Sequence, residues 1–472
     1  MEEPTTFDAV VVGGGLAGLA AGATLAEAGR SVALLEKYDV PGGSSQMSGG
    51  WFAFSGTEEQ VRAGIDDDDE LFVEDMRRSG EGRADDLLLR AYIERQGEAH
   101  RYLRSLGLTA STVKISSGQS RARSHQFAIH PLLEVLLDTI AATPSCRILT
   151  GRRAERLLTD EAGAVCGVRV APMAAAGPDG PPTVDLTARG GVVLATGGFS
   201  RSPELLEIFA PEQLAAIPYG GRGCTGDGLT MAWRLGAGFR DMGYVSGTYG
   251  SHPDTGEEEH ELLTAFYMGA IIVNEQGHRF VDESDSYKKL GTACLTQPNG
   301  LGFQVFDAVV RSRSMPGVPL SDIDHLERKG RLVQASTVAD LARKAGVDPD
   351  GLVGSVERYN AGIAAGQDEF GRTGLCNGVG ELVPVAEPPF YAYPAKTLMT
   401  STYCGLTVTA DAEVLAVDGT VIPGLYAAGE VVGGFHGTAY VTGTALAKAL
   451  IFGRAAGAEI VARTSQSPEE EP

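Results

Sequence analysis

Gly13, Gly15 and Gly18 stand at G-x-G-x-x-G spacing, and Glu36 follows Gly18 by 18 residues. The first glycine permits a tight turn, the second lets the backbone approach a pyrophosphate, and the third lets a helix pack closely on a sheet. Ala17 lies inside the segment, and Lys37 adjoins Glu36. A carboxylate at Glu36 can accept hydrogen bonds from both ribose hydroxyls of an adenosine. Further along, Gly43, Ser44, Ser45, Ser48, Gly49 and Gly50 crowd a loop from Tyr38 to Gly56. Their amides and small hydroxyls suit a polyhydroxylated ribityl chain, which a bulky residue would block.

The elements that must hold these residues are legible around them. Ala9 to Val12 form a short apolar run, the pattern of a strand buried on both faces of a parallel sheet. A helix rich in Ala and Leu follows from Leu16 to Ala28 and stops at Gly29. Ser31 to Leu35 make a second strand that ends at Glu36. The chain carries 63 Gly among 472 residues, about twice the usual share of roughly 7%, so the glycine spacing alone would carry little. Strand, helix and acidic strand end together define a dinucleotide fold. The three glycines do not separate FAD from NAD.

Composition bounds the function. Lys and Arg number 39 against 61 Asp and Glu, a net charge of −22, which excludes nucleic acid and disfavours anionic membrane surfaces. No apolar run approaches the roughly 20 residues of a membrane span, and Met1 to Phe7 is acidic, unlike a signal peptide. The reading is a soluble, cytoplasmic protein. Cys146, Cys166, Cys224, Cys294, Cys376 and Cys404 form no C-x-x-C pair, and the His do not cluster, so no iron–sulfur, zinc, haem or other metal pattern is present. Electrons reaching a flavin must therefore be exchanged with an external acceptor or donor.

Along the chain, Asp66 to Glu70 reads as a solvated helix start, with amphipathic helices around Asp85 to Ser105. Arg121, Arg123, His125 and His130 read as a surface loop or helix start before Pro131, with substrate contact as the alternative. Short strands and turns run from Cys146 to Val193, with a hairpin tip at Gly177 to Pro182. Gly190 to Ser200 is a second buried strand running into a glycine turn, which brings Thr196, Gly197 and Gly198 near the nucleotide. Gly223 to Ala237 opens a helix with Asp227 as its cap. Between Phe239 and Cys376 the glycine turns give way to a hairpin-like pair in AIIVNEQGHRFVDES and to further helices, the mark of an inserted domain. The expected division is 1–238 and 377–464 for the dinucleotide domain, 239–376 for the insert and 465–472 for a disordered tail.

Taken together, GGGLAGL with Glu36, GGSSQMSGG, ATGGF, GDG, VNEQGHRFVDE, FGR and IPGLYAAGE resemble, over nearly the whole chain, the fumarate reductase/succinate dehydrogenase flavoprotein family, which includes the 3-ketosteroid dehydrogenases. The resemblance implies an α/β chain: a Rossmann-like FAD-binding domain, split in sequence, with an inserted α+β capping domain and substrate held at their junction. By that likeness Glu36 holds the adenosine ribose, Ala154 and Asp227 lie on FAD, Gly429 and Glu430 meet the ribityl chain, and Ala445 and Leu446 meet the flavin ring. A helix opening near Thr444 would also aim free amides at the flavin and stabilise its reduced, anionic form. Family members with covalent FAD use a His in the glycine-serine segment. Pro41 to Gly50 has none, which implies noncovalent FAD.

Departures from the family pattern decide the substrate. Where true fumarate reductases carry two Arg and a His for a dicarboxylate, this chain reads Phe266, Tyr440 and Thr400 or Ser401. Losing the Arg pair removes the bidentate carboxylate clamps. Tyr440 resembles a Tyr of the ketosteroid dehydrogenases, which with a backbone N–H four residues on, here Thr444, polarises a ketone oxygen. Tyr287 falls where those enzymes place the Tyr that removes the alpha proton, with a packed aromatic as the plain alternative. To act as a base near neutral pH, Tyr287 needs a relay or positive charge, since an unperturbed Tyr has a pKa of about 10; Lys288 and Tyr267 are the neighbours in view. Trp51, Phe52, Phe54, Phe266, Tyr267 and Tyr403 suit an apolar ring as substrate, or a core. The expected reaction is FAD-dependent formation of a carbon–carbon double bond alpha,beta to a ketone of a cyclic or steroid-like molecule. The alternative is an ene-reductase working in the opposite direction on an enone or unsaturated acid.

Overall fold

The computed structural model describes residues 4–173, 182–256, 259, 261–318, 320–376 and 378–466. They divide into two units, one within Met1–Ala210, Gly220–Val245 and Ser401–Pro472 and the other within Pro211–Tyr219 and Ser246–Thr400. The chain thus stays with the second unit up to Thr400 rather than leaving it at 376. The reason is the strand Phe390–Thr402, which is the central strand of the second unit's own sheet.

In the first unit, β1 (Thr6–Val12) pairs in parallel with β2 (Val32–Leu35), which pairs in parallel with β3 (Arg147–Leu149). On its other side β1 pairs in parallel with β4 (Val184–Leu194), and β4 with β5 (Val421–Ala427). The apolar runs form strands buried on both faces, as parallel strands under helices must be. Helix α1 (Leu16–Glu27) follows β1, and the last helix, α2 (Thr444–Gln466), lies against α1. Glycines make that approach possible: a Cβ at Gly453 would stand 2.3 Å from the Ala17 carbonyl oxygen. This contact packs the body of α2 against the first turn of α1. Helix α2 also runs past the expected tail boundary to Gln466; the rest of 465–472 lies outside the described residues. Strands Val165–Pro172 and Val184–Leu194 pair antiparallel, and the tip expected between them falls, except for Pro182, outside the described residues.

The basic cluster divides: Arg121 is exposed and His130 lies exposed at the start of the helix Ile129–Ala141, as expected, whereas Arg123 and His125 are buried. Arg123 is completely buried on the strand Ser124–Gln126's approach and pairs with Asp67 and Asp75, both buried as well. Asp67 therefore leaves the solvated acidic run, while Asp68 caps the helix Asp69–Ser79 by accepting the Leu71 amide at 2.8 Å. His125, also fully buried, has Nδ1 2.7 Å from the Arg123 carbonyl and Nε2 2.7 Å from Thr57 Oγ1. The carbonyl can only accept, so Nδ1 carries a proton and donates it. Burial pulls the His125 pKa down to about 4. Unfolded chain binds this proton below about pH 6.5 and folded chain only near 4, so the stability is complete above 6.5 and is lost as pH falls. The loss is on the order of 3 kcal/mol at its limit. Melting temperature is expected to fall between pH 6.5 and 4, and less steeply in His125→Gln; identical slopes would contradict this.

The second unit has a six-stranded sheet in which Phe390–Thr402 pairs with Ile217–Pro218, Leu301–Phe306 and Val333–Ala335. The expected hairpin in AIIVNEQGHRFVDES is reduced to one strand, Ile271–Val273, paired with Leu301–Phe306, and a single antiparallel bridge from Val273 to Arg279 across the turn. Its second arm instead builds a buried ion network. Arg279 grips Glu283 through two bonds of 2.9 and 2.7 Å and reaches Asp368 at 2.7 Å. Arg372 completes the network at 3.3 Å from Glu283 and donates to the Ala270 and Phe266 carbonyls at 3.0 and 2.7 Å. The RFVDE and FGR segments are therefore partners in one structural network.

Candidate active site

The dinucleotide turn is built as its spacing requires. Gly13 adopts φ 111°, and a Cβ there would stand 2.3 Å from the Ala195 oxygen and 3.2 Å from Thr196 Cα. Gly18 is equally closed, its Cβ falling 1.9 Å from the Gly13 oxygen, whereas Gly15 meets nothing nearer than 3.9 Å. Gly15 thus opens a cradle at the start of α1, a position that favours a phosphate. Gly429, at φ 83°, would place a Cβ 2.9 Å from that of Ala17, so the β5 end abuts the same turn.

Glu36 is buried, with Oε2 taking the Gly14 amide and Oε1 the Tyr38 amide, each at 3.0 Å. Its own carbonyl accepts the Arg152 amide at 3.0 Å, which brings the strand Arg152–Thr159, with buried Ala154, alongside. Glu36→Ala is expected to weaken FAD retention roughly tenfold or more, since hydrogen bonds to a charged group are worth about 1.5–3 kcal/mol. Unchanged FAD content after dialysis would contradict the assignment.

Asp227 does not cap its helix. Gly226, at φ 75°, holds the cap position, and the Asp227 carboxylate pairs with Lys37 at 2.8 Å and Arg153 at 2.7 Å. Burial alone would raise the Asp227 pKa, but the bonds from Arg153 and Lys37 hold it below the usual range. The Thr196 hydroxyl is turned toward Gly228, where a Cβ would stand 2.2 Å away, while Gly197 at φ 73° packs on Cys224.

In the glycine-serine loop, which forms a short helix Gly43–Met47, Ser44 Oγ accepts the Gly221 amide at 2.9 Å and Ser45 Oγ the Leu16 amide at 3.2 Å. Ser48 Oγ donates to the Ser45 carbonyl at 2.7 Å. Gly49 lies beside the Trp51 ring, and Gly50, at φ 71°, closes on the Phe127 carbonyl. Ser45 thus joins the loop to the dinucleotide turn and Ser44 joins it to the segment at Gly221, whereas Ser48 serves the loop's own folding and Gly50 packs it on Phe127.

At the position expected to meet the ribityl chain, Glu430 Oε1 accepts the Thr402 amide at 2.9 Å and its hydroxyl at 3.2 Å. Gly198 makes room: a Cβ there would stand 1.9 Å from Thr402 Oγ1 and 2.6 Å from Glu430 Oε1. Burial raises the Glu430 pKa, partly offset by Thr402 and Lys448. Helix α2 begins just beyond. Thr444 is buried, and its N–H and Oγ1 both donate to the Val441 carbonyl, at 3.1 and 2.7 Å, because Gly443 at φ 94° turns the chain back there. The Thr444 amide is therefore engaged, contrary to the oxyanion role expected of it. Ala447 already donates to Gly443, which leaves the Ala445 and Leu446 amides as those the helix itself does not use.

Tyr440 lies in a three-ring cluster, 5.5 Å from Tyr403 and 5.8 Å from His436, which are themselves 5.3 Å apart. Trp51 is half-buried under the Lys114 ammonium, 4.3 Å from the ring centre. Phe52 and Phe54 are fully buried against Phe127, His100 and His125, hence core rather than lining. Phe266, also fully buried, belongs to the second unit's core, with Tyr267 and Tyr287 packed against it. Tyr267 donates its hydroxyl to the Asp285 carbonyl at 2.8 Å, and burial raises its pKa. Burial lowers the Lys288 pKa from the ordinary ammonium range. Sequence reasoning missed Thr402, Arg153, His436 and Lys448. Only Lys448 gave a signal, a charge on the apolar face of an Ala-rich helix.

A profile of the family described as FAD binding domain matches residues 8–446. The chain is 31% identical to NADH:fumarate oxidoreductase of Klebsiella pneumoniae (strain 342) over 98% of its own length, spanning about half (48%) of that relative. It is 28% identical to 4-oxocyclohexanecarboxylate 2-dehydrogenase of Sinomonas cyclohexanicum, covering 98% of the chain and 94% of the relative. Among solved structures, the open conformation of a flavocytochrome c3 fumarate reductase aligns with a TM-score of 0.82 and 27% identity, covering 97% of this chain and 78% of that one. A 3-ketosteroid-delta4-(5alpha)-dehydrogenase from Rhodococcus jostii RHA1 aligns with a TM-score of 0.77 and 25% identity over 98% of both chains. The chain belongs to the FAD-binding flavoprotein family that contains the fumarate reductases. It is an FAD-dependent oxidoreductase, and the open cradle at Gly15 fits that cofactor. No helix among the described residues is long and apolar enough to cross a membrane.

Proposed function

We propose that the protein introduces a double bond alpha,beta to a ketone in a cyclic or steroid-like substrate, with noncovalent FAD as hydride acceptor. The carrying observation is Tyr440: it replaces the Arg expected of a dicarboxylate enzyme, and its ring lies against Tyr403 and His436. A neutral phenol surrounded by rings suits a ketone on an apolar skeleton, whereas a carboxylate pair needs guanidinium forks. The Tyr440 hydroxyl donates to the ketone oxygen, where charge develops as the enolate forms. Tyr287 takes the alpha proton as the phenolate, having first given its own hydroxyl proton to solvent. FAD, when bound, accepts the beta hydrogen as hydride. The Thr444 amide joins the oxyanion site only by releasing the Val441 carbonyl. The Sinomonas relative, named for a cyclic keto acid, supports this class of substrate.

The six cysteines are free, which suits a reducing compartment, and we place the protein in the cytoplasm with an external electron acceptor. Steady-state reduction of an artificial acceptor is expected with 4-oxocyclohexanecarboxylate or a 3-ketosteroid. Reduction by succinate alone would overturn the reading.

The second reading, an ene-reductase, is favoured by the reductase relatives, among them the Klebsiella protein. The same groups serve both directions. Saturation of an enone or unsaturated acid with reduced viologen, without ketone oxidation under any acceptor, would select it.

A further inference from the structure

Lys448 has no part in the chemistry proposed above, yet it lies inside the protein. It sits on the inward face of α2 and is 3% exposed. Its Nζ donates to the Val432 carbonyl at 3.2 Å and stands 5.6 Å from the centre of the Phe435 ring. Leu88, Gly429, Phe435 and Phe452 line the small apolar cavity beside it. An ammonium is costly to bury unless a counter-charge and hydrogen bonds repay it. Val432 lies two residues beyond Glu430, whose carboxylate supplies that counter-charge. Sequence places Lys448 less than one turn after Leu446, behind the free amides of the helix start.

We propose that Lys448 is a positioning residue for the flavin site: its buried ammonium keeps Glu430 an ionised, acceptor-only carboxylate toward the ribityl hydroxyls. The inference rests on the reading that puts Glu430 at FAD. Without the ammonium, Glu430 has only the neutral donors of Thr402 and Ser401 to hold its charge, and it takes up a proton. A protonated carboxyl has lost one acceptor position and presents a donor in its place. The other titratable groups acting on the pair are the thiols of Cys224 and Cys404. Burial pushes Cys224 up to about 12 and Cys404 higher still, so both stay neutral across the working range. Burial pulls Lys448 itself down to about 8, which keeps it charged at neutral pH and below.

The test is FAD affinity of the full chain, followed by flavin fluorescence from pH 5 to 8 without any substrate. Lys448→Met is expected to bind FAD about tenfold more weakly at pH 7, and to recover as pH rises and Glu430 ionises. The midpoint of its pH-dependent loss should lie at least one unit above that of the parent protein. Lys448→Arg, which keeps the charge, should keep the parent midpoint. An unshifted midpoint in Lys448→Met, or equal weakening by both variants at every pH, overturns the inference and makes Lys448 a packing residue. If Lys448→Met does not fold, Lys448→Gln carries the same comparison. Glu430→Gln separates the possible failures. If it binds FAD like the parent at every pH, the placement of Glu430 at FAD is wrong and the inference falls with it; if it weakens FAD while Lys448→Met shifts nothing, the inference falls alone.

Discussion

Tyr440→Phe is expected to slow flavin reduction by a ketone substrate by 10²–10³-fold, the usual loss when one oxyanion donor is removed. The ring stays, so its packing on Tyr403 and His436 is kept. What disappears is the hydroxyl. FAD content should hardly change, because the cradle we propose for the cofactor is built from the β1–α1 turn, Glu36 and the β5 end, not from residue 440. Single-turnover reduction in an anaerobic stopped flow separates the step from product release. Unaltered reduction across several ketones would make Tyr440 a packing residue and remove the main support for a ketone substrate.

Arg123→Met should destabilise the protein by about 3–5 kcal/mol, the range found when one member of a buried ion pair is removed. The Asp67 carboxylate would remain in the interior without its guanidinium and the Asp75 carboxylate with a weakened set of partners, for both side chains are almost completely buried and Arg123 lies between them. Asp75 retains only the Ser120 amide and hydroxyl, both at 2.7 Å, and the partly exposed Arg78. The urea midpoint should fall with an unchanged slope. Replacing the triad together, with Arg123→Met, Asp67→Asn and Asp75→Asn, should recover part of the loss, since the neutral set leaves no orphan charge. A single variant within about 1 kcal/mol of the parent would show that water reaches these carboxylates.

These two residues mark where sequence was and was not informative. The β1–α1–β2 unit was legible because each local signal agreed: apolar run, glycine spacing, Ala-rich helix and acidic strand end all point to one structure. Arg123 was not, because a basic residue between turns looks the same whether it faces water or two distant acids; Asp67 and Asp75 lie 56 and 48 residues earlier. The Asp227 role failed for a related reason. Its position suggested a cap, but the tertiary partners Lys37 and Arg153 compete for the carboxylate and win. Likewise sequence does not separate lining from core at Phe52, Phe54 and Phe266, because aromatic side chains near a site are as readily its supporting core, and the structure buries all three. The insert's far boundary was missed because the Pro- and Tyr-rich segment looks like a crossing, whereas Phe390–Thr402 is the strand on which the second sheet is assembled.

The central claim is that a ketone, not a dicarboxylate, delivers hydride to the flavin. The direct measurement is anaerobic mixing of the FAD-loaded protein with cyclic ketones and, separately, with succinate, while the oxidised flavin absorbance is followed. Bleaching by at least one ketone, slowed in Tyr440→Phe, and none by succinate is the predicted result; bleaching by succinate with no response to any ketone would contradict the account.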